Sequence, residues 1–244
     1  MKFSQIFLID KFYINKIIEA LNIRENDIFL EIGPGDGTIT YEILKKGAIV
    51  IAIEIDYNLF KMLNEKFSLI LGKKFYLYNE DFLKFNLNKL DFQSMRFFSN
   101  LPYHITHDAL FKILKNKGKF IDIHIMLQKE VSEKLLKEKN YLHFLFNYHF
   151  EIYELFKIPP WAFVPKVSVF SSFLRMIPRK NLMAKELEDK VFEIIKRSFL
   201  ERRKKLKNTI KIVPEEYSQK RPEELEFKDF VEIALYYLQS SQKL

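Results

Sequence analysis

The sequence predicts an α/β fold: a mostly parallel sheet with helices on both faces, closed by an antiparallel pair and followed by a small all-α domain. Three observations carry this. Near-continuous apolar runs such as "AIVIAIEI" have no polar side, as strands covered on both faces require. These runs alternate with segments of helical spacing, the pattern of βαβ units. From about Pro178 the alternation stops and only helical spacing remains.

Taken in order, strands are expected in "DIFLEIG" (27–33), "AIVIAIEID" (48–56), "KFYLYNED" (74–81), "MRFFSN" (95–100) and "FIDIHIMLQ" (120–128). Between them "TITYEILKKG", "NLFKMLNEKFS" and "THDALFKILKNKG" have helical spacing, as does "KEVSEKLLKEK" after the fifth strand. The aromatic runs "HFLFNYHFEIYELFKI" and "SVFSSFLRMI", linked through "PPWAFVP", read as the antiparallel pair that closes the sheet. The remaining segments "AKELEDKVFEIIKRSFLERRKKLKNTI" and "RPEELEFKDFVEIALYYLQSS" read as helices. The expected domains are therefore 1–178 and 179–244.

The 244 residues are 48% hydrophobic with 25 Phe, enough for a substantial core, which excludes a disordered chain. No apolar run is long enough to cross a bilayer. The stretch "MKFSQIFLIDKFYINKIIEA" carries charges inside its apolar part and no small-residue cleavage site, so no signal peptide is expected. Absence of cysteine excludes disulfides and thiolate metal sites and fits a reducing cytoplasm. A net charge of +8 favours a polyanionic partner such as nucleic acid or a membrane surface.

The first strand runs into "LEIGPGDGTIT", three glycines ahead of a helix. Glycines there let the backbone approach a ligand closely. The spacing is G-x-G-x-G, not the G-x-G-x-x-G that seats a dinucleotide pyrophosphate. Glu31 before the loop and Asp36 within it favour a ligand with positive charge, and S-adenosylmethionine carries an ammonium and a sulfonium. Glu54, at the second strand's end, is placed to accept both ribose hydroxyls. Asp81, at the third, is placed to accept from an adenine amino group. Ligands bind outside the carboxyl ends of parallel strands, so these positions converge on a nucleoside, the methyl donor.

The fourth strand ends in Asn100-Leu101-Pro102-Tyr103. An adenine exocyclic amine is a weak nucleophile because its lone pair is delocalised into the ring. Two acceptors on its N–H groups, the Asn100 side-chain oxygen and the Leu101 carbonyl, would favour a pyramidal amine aimed at a methyl carbon. Pro102 fixes the backbone that presents that carbonyl, and Tyr103 can stack on the base.

At this point the sequence resembles the ribosomal RNA adenine N6-dimethyltransferases that use S-adenosylmethionine, and within them the small-subunit branch. The resemblance spans nearly the whole chain: "SQIFLID", "EIGPGDGTIT", "AIEID", "NEDF", "NLPYHIT", "MLQKEV", "FVPKVSVFSSFLR", "RRKKLKN" and "RPEEL". It implies a Rossmann-like methyltransferase fold with a catalytic domain over 1–178 and an RNA-binding helical domain over 179–244. It implies donor contacts from Gln5 and Leu8, from Gly33 and Gly35, and from Glu54 and Ile55. Asp81, Phe82 and Asn100 complete the donor set, and Tyr103 with Phe163 would sandwich the target adenine. Ser4, Ile6, His104 and Val167 depart from the family's usual residues, and "KNYLHFLF" lacks its Tyr-Gly-Arg-Leu pattern.

The run Arg202-Arg203-Lys204-Lys205, with Lys207, reads as a basic helical turn and a half that contacts RNA phosphates. His104 and His107 stand three apart without a carboxylate or cysteine pattern, so no metal is expected. Trp161, the single tryptophan, is expected to pack beside the target pocket. The implied activity is dimethylation of two adjacent adenosines near the 3′ end of 16S rRNA, with a part in 30S biogenesis. The implied partner is small-subunit rRNA or the 30S particle, met by a cytoplasmic monomer. Two rival readings are a large-subunit (23S) methyltransferase that confers antibiotic resistance and a non-catalytic RNA- or DNA-binding relative. Leu101, where the resistance branch carries isoleucine, together with "QKEV" and "RRKKLKN", opposes the first; the intact loop and Asn-Leu-Pro-Tyr oppose the second.

Overall fold

A computed structural model describes residues 6–180 and 183–241. They form two compact units. The first runs to Ser132 and resumes over Glu151–Pro178; the second takes Glu133–Phe150 and the chain from Arg179 onward.

The first unit opens with a short strand, β1 (Phe7–Leu8), and helix α1 (Lys11–Leu21). Asp10 caps α1 by accepting from the amides of Phe12 and Tyr13, which otherwise lack partners in the first turn. α1 buries Ile14, Ile17 and Leu21, one apolar stripe at helical spacing. Then strands and helices alternate as the sequence predicts. They are β2 (Ile28–Ile32), α2 (Thr38–Lys45), β3 (Ile49–Ile53), α3 (Tyr57–Lys66), β4 (Phe75–Tyr78), β5 (Met95–Asn100), α4 (Thr106–Lys115) and β6 (Phe120–Gln128). Next come α5 (Lys129–Leu136), α6 (Tyr141–His149), β7 (Phe150–Ile158), β8 (Phe163–Val164) and β9 (Ser171–Pro178).

Seven strands make one sheet in the order β4-β3-β2-β5-β6-β9-β7. β2 through β6 pair in parallel, and β9 returns antiparallel to β6 with Ile125 opposite Leu174. β3 and β4 lie on one side of β2, and β5 and β6 on the other. This reversal opens a crevice at the carboxyl ends of β2 and β5, where open α/β sheets hold ligands. Phe29, Val50, Ala52 and Phe75 are fully buried in the core cluster, as near-continuous apolar strands require. β1 and β8 form a separate two-stranded ribbon, with Phe7 opposite Val164 and Leu8 opposite Phe163.

The second unit is helical: α6, α7 (Lys185–Leu200), α8 (Glu215–Ser218) and α9 (Phe227–Ser241), with short 3₁₀ turns. One sequence expectation fails here. The first half of "HFLFNYHFEIYELFKI" is the helix α6, and only Phe150–Ile158 is strand. Asn140 starts the helix by accepting from the His143 amide, and Phe144, Leu145 and Phe146 are all buried. A helix buried on several sides loses its polar stripe, so its aromatic run is indistinguishable from a buried strand. The 133–150 segment therefore groups with α7 and α9, not with the sheet: Phe144 packs edge-on against Phe230 at 5.3 Å, and Tyr148 bonds Glu188.

Candidate functional site

Four strand ends build one cleft. The glycine loop after β2 turns through Gly33, Gly35 and Gly37, all at positive φ. At Gly35 a Cβ would come within 3.2 Å of the Phe7 ring, and at Gly37 within 2.7 Å of Leu63. A side chain at Gly37 would therefore need both a disfavoured backbone and a shifted core. Glu54 ends β3, Asp81 follows β4, and Asn100 ends β5. The cleft they surround holds about 960 Å³ of empty space, part of it open to solvent.

Its walls bring together most of the residues expected from the sequence: Gly33, Gly35, Glu54, Ile55, Asp81, Phe82, Asn100, Leu101 and Pro102. Glu54 is only 5% exposed; burial pushes its carboxyl above the usual range, opposed by the Asp56 amide donating at 2.8 Å. Asp81 accepts from the Leu83 amide at 2.8 Å, which fixes its carboxylate at the loop's start. The Asn100 amide donates to the Ile6 carbonyl at 3.4 Å, an orientation that leaves its Oδ1 as the acceptor. Ser99 ties β5 to β2 by donating to the Ile32 carbonyl at 2.7 Å. Beyond Asn100 the chain turns at once, because the Pro102 carbonyl accepts from Ile105 N and from Thr106 Oγ1, starting α4.

Several expected residues fall elsewhere. Gln5 and Ser4 lie outside the described residues, as does the side chain of Tyr103, whose backbone opens a 3₁₀ turn over Tyr103–Ile105. Leu8 is a core residue rather than part of the cleft wall. Phe163 is 2% exposed within the β1–β8 ribbon, opposite Leu8, so in this arrangement its ring has no open face for a base. Its neighbour Trp161, expected to pack beside the target pocket, is 59% exposed. The residues Arg202, Arg203, Lys204, Lys205 and Lys207 are all exposed; the first four follow the end of α7 on a turn, and Lys207 lies in a short 3₁₀ helix over Leu206–Asn208. α7 stops at Leu200, and Leu206 in the following 3₁₀ helix is fully buried.

Glu31 also departs from expectation. It does not line the cleft but sits 2% exposed under the loop, accepting from Thr40 Oγ1 at 2.7 Å. Burial raises its pKa to about 7 from the usual 4.5, against the Thr40 hydrogen bond and with help from the nearby Glu54 charge. The folded state thus holds this proton more tightly than the unfolded chain. Its stabilising contribution is complete below about pH 4.5 and is lost as pH rises through 7. Between pH 4.5 and 8.5 the loss is about 3 kcal/mol. Glu31→Gln keeps an acceptor for Thr40 and removes the titration. Thermal melts should therefore show the variant matching the parent at pH 4.5 and exceeding it by several degrees at pH 8.5; parallel curves would refute the assignment.

Sequence reading missed several cleft residues, among them Phe7, Asp56, Leu59, Glu80 and His104, and two supports outside it. Asn79 donates to the Glu54 carbonyl at 2.9 Å. Lys112 on α4 clasps the loop that carries Asp81 and Phe82, donating to the carbonyls of Leu83 (2.9 Å) and Phe85 (2.6 Å) over the Phe82 ring. A lysine on an amphipathic helix gives no local signal of this, whereas the Asn79-Glu80-Asp81 polar run at a strand end does mark a loop. Among the described residues no group of three or more His, Asp or Glu side chains could hold a metal, and no helix is long and apolar enough to cross a membrane.

Among the described residues the cleft wall includes four acids, Glu54, Asp56, Glu80 and Asp81, and no lysine or arginine. That lining accepts a cationic nucleoside and repels a pyrophosphate. A sequence profile for ribosomal RNA adenine dimethylases matches residues 1–234. The chain belongs to the ribosomal RNA adenine dimethylase family. This family of methyltransferases includes a curated relative from Francisella tularensis subsp. novicida (strain U112), ribosomal RNA small subunit methyltransferase A. That protein is 35% identical to the present dimethylase over 95% of this chain and 94% of its own length. A dimethyladenosine transferase from Plasmodium falciparum superposes with a TM-score of 0.80 at 22% identity, covering 96% of this chain and 98% of that one. The 23S rRNA methyltransferase ErmE superposes at 0.77 with 20% identity, covering 94% and 98%. At these identities the two structures speak for the fold: a Rossmann-like methyltransferase sheet followed by helices.

Proposed function

We propose that this dimethylase transfers methyl groups from S-adenosylmethionine to the N6 amines of two adjacent adenosines near the 3′ end of small-subunit rRNA, and so serves 30S biogenesis. The observation that carries the reading is the convergence of Glu54, Asp81 and Asn100 on one acid-lined cleft. The small-subunit name of the 35% relative supports that choice of RNA over the large subunit. A cytoplasmic location suits such a substrate.

The residues fit the donor. Gly33 and Gly35 leave backbone room, Glu54 would accept from the ribose hydroxyls, and Asp81 would accept from the adenine amine beside Ile55 and Phe82. When bound, S-adenosylmethionine supplies an electrophilic methyl group. Asn100 Oδ1 and the Leu101 carbonyl then accept the two N–H groups of the target amine and turn its lone pair toward the cleft. Pro102 fixes the chain between them and the 3₁₀ turn. The amine becomes acidic as it is alkylated, so its proton can pass to solvent without a strong base. Catalysis rests on alignment and preorganised dipoles. Tyr103 would stack on the base, which must leave its own stack to reach the cleft. Phe163, buried within the β1–β8 ribbon, could join it only if its ring turned out of the core. The exposed cluster Arg202, Arg203, Lys204, Lys205 and Lys207 would hold RNA phosphates from the helical unit.

The test is direct. Incubation with labelled donor and under-methylated 30S particles should place label on adenine N6 at two neighbouring nucleotides. Label on 23S rRNA instead, or none on adenine, would reject the reading.

A further inference from the structure

Two of the largest apolar side chains in the first unit stand in water. Trp161 is 59% exposed and Phe12 is 65% exposed, with Ile9 and Val164 about half exposed beside them. Isolated exposed apolar residues are ordinary, but these are held together. The Tyr13 ring meets Phe12 edge-on at 5.1 Å and Trp161 at 5.9 Å. The amides of Ile9 and Asp10 both donate to the Ala162 carbonyl, which ties the start of α1 to the turn that carries Trp161. The array is therefore a fixed surface rather than a set of loose side chains.

Its charge is one-sided. Lys11 and Lys166 are exposed around it, and the Lys16 ammonium lies 5.8 Å from the Phe12 ring centre and 4.6 Å from that of Phe156. The nearest carboxylate in sequence, Asp10, is engaged in capping α1. The surface is also continuous with the cleft. The same β1–β8 ribbon pairs Val164 with Phe7, and Ile6 and Phe7 form part of the cleft wall.

We propose that this aromatic strip is a stacking platform for bases of the RNA strand next to the target adenosine, with Trp161 and Phe12 as its contact residues. The proposal rests on the RNA-substrate reading above. Flat rings interleaved with lysines match a ligand that alternates planar faces with negative charge, which single-stranded nucleic acid does. A second copy of this chain would set Lys11, Lys16 and Lys166 against their own equivalents. An extruded adenosine leaves its neighbours unstacked at the cleft's mouth, and rings there would offset that loss.

Trp161 is the one tryptophan in the chain, so its emission reports on this surface alone. The full-length protein is titrated with a fluorescein-labelled ten-nucleotide oligouridylate, which contains no adenosine to methylate. Saturable quenching of Trp161 in step with the fluorescein anisotropy is expected. Trp161→Ala and Phe12→Ala should each weaken oligonucleotide binding about tenfold and raise the KM for under-methylated 30S particles similarly. Donor affinity should stay unchanged, and Trp161→Phe should restore most of the RNA affinity. Binding by anisotropy with unaltered Trp161 emission would overturn the proposal. So would an unchanged RNA KM in Trp161→Ala, or emission that changes with protein concentration alone, the mark of self-association. Quenching needs no methyl transfer, so an inactive parent enzyme would reject the function reading and leave this test standing.

Discussion

Replacing Asn100 with alanine is expected to lower methyl transfer by about 10²–10³-fold or more while donor affinity stays within about tenfold. The asymmetry follows from geometry. In the proposed site, donor contacts would be spread over Gly33, Glu54, Asp81 and the apolar wall, so losing one of them would cost binding little. The target amine has only two proposed acceptors, and Asn100 Oδ1 is the one that a side-chain change removes; its amide is held by the bond to Ile6. Without it the amine keeps its lone pair in the ring. The measurement is single-turnover transfer at saturating donor and RNA, alongside calorimetric donor binding. Equal losses in both would make Asn100 a binding residue and remove the mechanism proposed above.

Asp122→Ala is expected to give the largest loss of stability, about 3–5 kcal/mol, or roughly 10 °C in Tm. Asp122 lies buried between two guanidinium groups. It takes both a 2.9 Å bond from Arg96 Nε and another from Arg96 Nη2, and Arg175 approaches at 3.4 Å. Arg96 itself is nearly buried, with Asp27 as its second partner at 2.8 Å. Removing Asp122 strands positive charge beside His124, whose ring is fully buried with both nitrogens unpartnered. Burial holds His124 down to about 4 from the usual 6.5, with Asp122 opposing that shift. His124 thus contributes stability above pH 6.5 that is lost as pH falls toward 4, and its charging cannot relieve the network. The double variant Arg96→Met, Asp122→Leu should recover much of the loss, because it removes the charges together. Asp27 tolerates this, being partly exposed and bonded to the Arg24 amide. Urea unfolding with an unchanged m-value would check both, and a loss under 1 kcal/mol for Asp122→Ala would refute the account. Arg96 and Asn100 sit at opposite ends of β5, so donor affinity of the folded variant should be unaffected.

The parallel strands and the residues at their ends were legible in the chain itself. Buried strands advertise themselves by continuous apolar runs, and the polar residue that ends each run must lie at the sheet's edge. Glu54, Asp81 and Asn100 follow from that rule alone. Phe163 and Trp161 show its limit. Both are aromatic and two residues apart, yet one is buried on β8 opposite Leu8 and the other stands in water. What separates them is pairing to a strand more than 150 residues away in sequence, which no local pattern encodes.

Glu31 and Glu54 make the same point for charge. Each is a glutamate at the end of an apolar strand, but only Glu54 lines the cleft, while Glu31 turns to Thr40 beneath it. Alternation tells which residues share a face, not which face a ligand meets. α6 completes the case, since burial on several sides erases the periodicity that would distinguish helix from strand. The sequence by itself determined the parallel strands and the polar residues that end them, Glu54, Asp81 and Asn100, because those depend on neighbours along the chain. Tertiary structure alone decided which acid lines the cleft, which ring is buried and which lysine braces the loop beside it, because those depend on contacts that distant segments make when they pack.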